Sequence, residues 1–258
     1  MNECPASLVA LAHDLADAAR DVVRKYFRAP IDVIDKSDAS PVTIADRETE
    51  AVMREKIAKA CPDHGIYGEE HGIERADAEY VWVLDPIDGT RAFISGQPTF
   101  GTLIALLYRG EPVLGIMDQA ITGERWSGAR GRSTLLNGLP VHSRACTETG
   151  NAVFYTTDPS LFPDADLDAA TRLRTSCKMA RYSIDCYAYC LIATGFVDVV
   201  AEANLKPYDF SALIPIVEGA GGVMTDWQGK RLGLHSDGRV LATGNPALHA
   251  KALEILAG

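Results

Sequence analysis

A continuous apolar run, Val81-Trp82-Val83-Leu84, is cut off by Asp85-Pro86. Four apolar residues with no polar alternation predict a strand buried on both faces, so the chain must lay structure above and below it. Pro86 has no N–H to donate and is expected to stop the ladder. The stretch Asp85-Pro86-Ile87-Asp88-Gly89-Thr90 should turn sharply and set two carboxylates and a backbone carbonyl around one point. Hard divalent cations take oxygen ligands of this kind, and Mg²⁺ keeps waters that a phosphate can replace. Gly89 lets backbone come close to an anion, and a helix opened by Thr90 would aim N–H groups at phosphate. Asp, Pro and Gly also make ordinary turns, so the motif alone has a purely structural reading as well.

At 258 residues the chain can bury a substantial core in one large domain or two intimate subdomains. The formal net charge of −10, with no block of Lys or Arg, argues against nucleic acid or an anionic membrane as partner. The six cysteines form no CxxC pair, and Cys186 and Cys190, at helical spacing among apolar residues, are expected in a core. They read as reduced thiols of a cytoplasmic protein. The N-terminal stretch is amphipathic and acidic, without a basic leader or an apolar run of membrane length.

Apolar residues from Leu8 to Tyr26 recur at spacings of three and four and predict a helix of about six turns. Ile31 to Lys36 reads as a short strand and residues 37–41 as a loop. A second helix should start near Thr43 with Asp46 in its first turn, where a carboxylate suits the helix terminus whatever else it does. Gly68-Glu69-Glu70 precedes the Asp-rich strand by a loop, so a Glu could reach a cation held by Asp85. Residues 100–108 and 112–117 predict a hairpin, with short strands and turns over 124–141. The first half, residues 1–144, is thus α+β. From 145 to 258 strands and helices alternate, predicting an α/β layer: strands at 152–156, 178–182, 197–202, 223–225 and 240–243, and helices at 164–174, 185–193, 210–220 and 246–256. Asp209 follows Pro207 at a helix start, where capping is its structural reading. All six histidines lie in surface-like segments and none is assigned to metal or proton transfer.

Glu69, then DPIDGT sixteen residues later, then an Asp at a helix start about 120 residues beyond, form a far more specific pattern than any one piece. It resembles the inositol monophosphatase superfamily of Mg²⁺-dependent phosphomonoesterases, from the first helix to the last. The usual DP(I/L)DGTxNF appears here with Ala92 in place of Asn, a departure that bears on substrate class and not on metal. The second signature appears as Tyr208-Asp209-Phe210-Ser211-Ala212 running to Ala220-Gly221-Gly222, with Tyr for Trp. The resemblance implies a layered sugar-phosphatase fold, α+β and α/β in alternating αβαβα layers, and a homodimer. It further implies that Glu69, Asp85 and the carbonyl of Ile87 hold one Mg²⁺, that Asp85, Asp88 and Asp209 hold a second, and that a third, weaker ion sits near Glu69. Phosphate would meet the N–H groups of Gly89 and Thr90, and a Thr90–Asp46 pair would take the proton from the attacking water. Within the family, the texture of residues 185–191 and 205–222 is most similar to the bacterial histidinol-phosphatase branch. Asp185 and Glu202 are candidate contacts for an amino alcohol, although carboxylates also bind sugar hydroxyls, which keeps inositol or sugar phosphates as the alternative. Arg181 is a further candidate, for substrate or phosphate, or a surface ion pair. A member of the fold that binds partners without catalysis is the reading from another class, and five intact site residues, Glu69, Asp85, Asp88, Thr90 and Asp209, argue against it.

Overall fold

The computed structural model of the chain describes residues 4–30, 33–35 and 41–258. Helix α1 (Ala6–Tyr26) and helix α2 (Ile44–Ala60) flank a two-stranded ribbon of β1 (Val33–Asp35) and β2 (Pro41–Thr43). The expected strand over 31–36 is present as β1, while Ile31, Asp32 and Lys36, with the loop 37–40, lie outside the described residues. There follow β3 (Gly65–Gly68), β4 (Ile73–Glu74), β5 (Tyr80–Asp88), the short helix α3 (Thr90–Ile94), β6 (Gly101–Tyr108), β7 (Glu111–Gln119), β8 (Glu124–Ala129), β9 (Leu135–Leu136) and β10 (Leu139–Pro140). These strands make one sheet in the order β10-β9-β8-β7-β6-β5-β3-β4, antiparallel except for the β3–β5 pair.

The second half supplies β11 (Val153–Thr156), α4 (Asp164–Ser176), β12 (Met179–Tyr182), α5 (Tyr187–Ala193), β13 (Val199–Glu202), α6 (Pro207–Phe210), α7 (Leu213–Gly219), β14 (Val223–Thr225), β15 (Val240–Thr243) and α8 (Pro246–Ala257). Its sheet runs β12-β11-β13-β15-β14. Helices α1 and α2 cover one face of the first sheet, α5, α6 and α7 fill the space between the sheets, and α4 and α8 cover the far face of the second. The five layers are α, β, α, β, α, as expected. The period-2 alternation of strands assigns each face. In β5, Trp82 and Leu84 pack toward α1 and α2, while Val81 and Val83 pack into the middle layer. In β13, Val199 and Ala201 face the outer helices and Val200 the middle ones. A methyl group at Gly115 or Gly128 would collide with the carbonyl of Ala212 or Pro215, so α7 lies with its backbone directly on β7 and β8.

Four local expectations are corrected. Strand β5 does not stop at Pro86. It continues to Asp88 through a slip in register, with Asp85 opposite Leu103 and Asp88 opposite Gly101. One extra residue on β5 is a bulge that absorbs the missing proline N–H, and the Thr102 hydroxyl donates to the Pro86 carbonyl at 2.8 Å. The helix expected over 210–220 is two, α6 and α7, because Pro215 cannot donate to the Ser211 carbonyl one turn back and its ring crowds that carbonyl. The helix expected from Asp185 begins at Tyr187. His249 is not on the surface: it is buried, its ring nitrogens lie 2.8 and 3.1 Å from the hydroxyls of Thr225 and Thr243, and burial pushes its imidazole down to about 4. Among the described residues no helix is long and apolar enough to cross a membrane.

Candidate active site

The bulge in β5 re-aims the side chains that follow Leu84. Asp85 is buried, and its Oδ1 accepts the Ile87 N–H at 3.1 Å. Asp88 ends the strand, and its Oδ2 accepts the Cys186 N–H at 2.8 Å. From the other half, Asp209 lies in the first turn of α6, where its Oδ2 accepts the Lys206 N–H at 2.6 Å. The bond from Lys206 fixes one oxygen of Asp209, and its side chain also meets Asp85. One oxygen from each of Asp85, Asp88 and Asp209 lies within 4.8 Å of the other two.

Glu69 is brought to this group by a device absent from the motif. The Glu50 carboxylate, wholly buried in α2, accepts the N–H of Glu70 at 2.7 Å and of His71 at 3.1 Å, and is itself held by Arg54 Nε at 2.7 Å. A side chain at Gly68 would collide with that carboxylate. The Glu69 N–H donates to the Leu84 carbonyl at 3.2 Å, and its side chain hydrogen-bonds Asp85. Glu50 had one legible signal: with Asp46, Met53 and Ile57 it falls on the buried stripe of α2.

These carboxylates raise one another's proton affinity. Burial and then Glu69, Asp88 and Asp209 push Asp85 well above the usual carboxylate range, and burial followed by Asp209 takes Asp88 to about 7. Asp209 also rises to about 7, chiefly through burial. Buried, mutually repelling carboxylates of this kind fit a hard divalent cation, whose charge lets them stay ionised together. The Ile87 carbonyl accepts from the Thr90 hydroxyl at 3.1 Å.

Gly89 adopts φ 84°, ψ 40° at the start of α3, a left-handed conformation that glycine takes without strain. Thr90 Oγ1 stands 3.4 Å from Asp46 Oδ1. The other oxygen of Asp46 accepts both the Thr43 N–H at 2.8 Å and the Thr43 hydroxyl at 2.6 Å. Asp46 thus belongs to a capping box and reaches Thr90 with its remaining oxygen. Burial raises its pKa, against the lowering effect of the bonds from Thr43.

A cavity of about 250 Å³ opens beside this group. Glu69, Asp88, Gly89, Thr90 and Asp209 line it together with Asp185, Glu202, Thr157 and Tyr189. Asp185 is no helix cap. It stands before α5 at φ 42°, a strained conformation for a non-glycine residue, and a methyl group at Gly89 would lie 2.9 Å from its Cγ. Burial, then Asp88, raise Asp185 to about 7, while Arg91 opposes the shift. Glu202 is buried at the end of β13 and accepts from the Thr157 N–H at 2.7 Å, the Thr157 hydroxyl at 3.0 Å and the Thr156 hydroxyl at 3.1 Å. Arg181, exposed on the edge strand β12, is not among the cavity-lining residues. Arg91 is, and sequence reasoning passed over it although it adjoins Thr90.

Burial lifts the Glu202 carboxyl from 4.5 to about 7. Between those values the folded chain keeps a proton that the unfolded chain has lost. The carboxyl's contribution to stability is therefore full below about 4.5 and falls as pH rises, until it is gone above about 7. Glu202→Gln removes this titration. In thermal unfolding without divalent cation, the Tm of Glu202→Gln relative to the unaltered chain should climb by about 5 °C between pH 5 and pH 8. A difference constant with pH would show that Glu202 ionises normally.

The inositol monophosphatase family model matches residues 5–257. Among similar proteins, the bifunctional phosphatase IMPL2, chloroplastic, of Arabidopsis thaliana is 49% identical over 272 residues, covering 99% of this chain and 79% of that protein. A histidinol-phosphatase of Chlorobaculum parvum is 36% identical, covering 90% of each. An inositol monophosphatase from Zymomonas mobilis superposes with a TM-score of 0.91 at 46% identity, covering 98% of each chain.

Proposed function

The chain belongs to the inositol monophosphatase family, and on that premise we propose that it is a Mg²⁺-dependent phosphomonoesterase that hydrolyses L-histidinol phosphate to L-histidinol and phosphate. One observation carries the choice of alcohol: the carboxylates of Asp185, partly buried against Gly89, and of Glu202, buried, line the same cavity as Asp88 and Thr90. An ammonium group on the leaving alcohol would offset their charge, and binding it would favour their ionised forms. The histidinol-phosphatases of known sequence support the same reading at 36% identity.

Glu69, Asp85, the carbonyl of Ile87, Asp88 and Asp209 are the oxygen donors that would hold Mg²⁺. Bound there, Mg²⁺ would act as a Lewis acid toward phosphate oxygens and lower the pKa of water. The chain's own groups do the rest. Gly89 and Thr90 present backbone to the phosphate at the start of α3. Thr90 Oγ1 accepts the proton of the attacking water as its own proton passes to Asp46 Oδ1, a carboxylate being the stronger base by many units. In the geometry described, the Thr90 hydroxyl sits nearer the Ile87 carbonyl than Asp46, so the relay requires it to turn through one rotation about its C–O bond. Asp185 and Glu202 orient the alcohol, and Arg91, an exposed residue of the cavity lining, favours the ionised form of Asp185.

Hydrolysis of inositol phosphate or a broader set of sugar phosphates is the second reading, favoured by the Zymomonas relative and by the ability of Glu202 to bind hydroxyls. The deciding measurement is kcat/KM for L-histidinol phosphate and for myo-inositol 1-phosphate at one Mg²⁺ concentration. The expected ratio is at least about a hundredfold in favour of histidinol phosphate, because buried charged groups left unpaired reject the neutral alcohol. Parity, or a preference for inositol phosphate, would overturn the histidinol reading. Phosphate release from neither would leave a binding role for the fold.

A further inference from the structure

Tyr189 belongs to α5, is 2% exposed, and lines the cavity together with Asp88, Asp185 and Glu202. Its hydroxyl is buried and meets no hydrogen-bond partner. Among the described residues three other buried polar atoms share that condition, on Thr49, Thr99 and Trp126, and none of those residues lines the cavity. A buried phenol without a partner has been stripped of water and given nothing back, so an unmet polar atom is kept on a residue that lines the cavity beside the carboxylate group. Glu202 beside it is in the opposite condition, since both its oxygens are already pinned by Thr156 and Thr157.

The charges acting on the Tyr189 hydroxyl are acidic, with Glu202 foremost and then Asp88 and Asp209. Carboxylates are acceptors when ionised, so the lone pairs of the phenolic oxygen are left for a donor. We infer that Tyr189 is a specificity-determining residue whose Oη accepts a hydrogen bond from an N–H of the leaving alcohol, beside the Glu202 carboxylate. The inference rests on the amino-alcohol reading of the substrate and deepens it: the cavity recognises nitrogen through a charged acceptor and a neutral one.

Tyr189→Phe keeps the ring and removes only the hydroxyl. No hydrogen bond of the free protein is lost, so its Tm without substrate should equal or exceed that of the unaltered chain. A fall of about 5 °C or more would reveal a structural partner and overturn the inference. In steady-state assays, kcat/KM for L-histidinol phosphate should fall roughly tenfold further than kcat/KM for glycerol 2-phosphate, with KM carrying most of the difference. Equal losses on the two substrates, or none on either, would overturn it. The unaltered enzyme separates the two levels of the argument. If it prefers myo-inositol 1-phosphate, the amino-alcohol reading fails and takes this inference with it. If it prefers histidinol phosphate while Tyr189→Phe keeps the same selectivity, the assignment of Tyr189 alone is wrong.

Discussion

Asp46→Asn is expected to lower kcat by about a hundredfold or more while KM for the phosphate ester stays within about twofold. The asymmetry follows from geometry. Asp46 is buried, lies 3.4 Å from Thr90 Oγ1 through one oxygen, and does not line the cavity, so it can act on the reaction only through Thr90. Asparagine keeps the shape and an acceptor for the Thr43 N–H, which preserves much of the cap on α2. It cannot take a proton, and its amide nitrogen would point a donor at the Thr90 hydroxyl. Turnover should therefore collapse while the fold and the ground-state complex survive, with Tm reporting the fold and KM the complex. Full turnover in Asp46→Asn would sink the relay and leave Asp46 as a cap.

The second large effect is expected from Asp88→Asn, which should raise the Mg²⁺ concentration for half-maximal activity by roughly a hundredfold. Asparagine can still accept the Cys186 N–H now bonded to Asp88 Oδ2, so the contact between the halves of the chain is retained. What disappears is one negative charge from a group whose oxygens lie within 4.8 Å of one another. Cation affinity depends on that charge, and the loss should be recovered in part by excess Mg²⁺. An unchanged Mg²⁺ titration would show that Asp88 is no ligand. The same substitution removes the like charge that helps raise Asp185, so Asp185 should ionise at lower pH in the variant.

Much of the fold was legible in the chain because its elements are written in local periodicities. The 3.6-residue stripe of α1, the unbroken apolar run of β5 and the alternation of strands and helices after residue 145 each follow from burial acting on neighbours in sequence. Two of the misreadings concern proline. Pro86 and Pro215 have identical local chemistry, loss of an N–H and a fixed φ. Yet in β5 the strand slips one residue and continues, its Pro86 carbonyl taken up by Thr102 of β6, while in the middle layer the helix splits.

For the site, the residue types and spacings of Asp85 to Thr90 already offered candidate oxygen ligands, since that reading needs only adjacent residues. Resemblance added Asp46, Glu69 and Asp209 without saying how they meet. Their meeting is a matter of packing across long stretches of chain. Glu50 holds the Glu69 loop, the Cys186 N–H orients Asp88, and the Lys206 N–H turns Asp209 inward. The alcohol side of the cavity was the least legible of all. Arg181, a candidate for substrate or for a surface ion pair, falls on an edge strand outside the cavity lining, whereas Arg91 and Tyr189 border it. No periodicity distinguishes a tyrosine whose hydroxyl is buried without a partner from one that is bonded in the core. That difference exists only once two sheets and the helices between them have closed around it, because desolvation is a property of the whole enclosure and not of the residue.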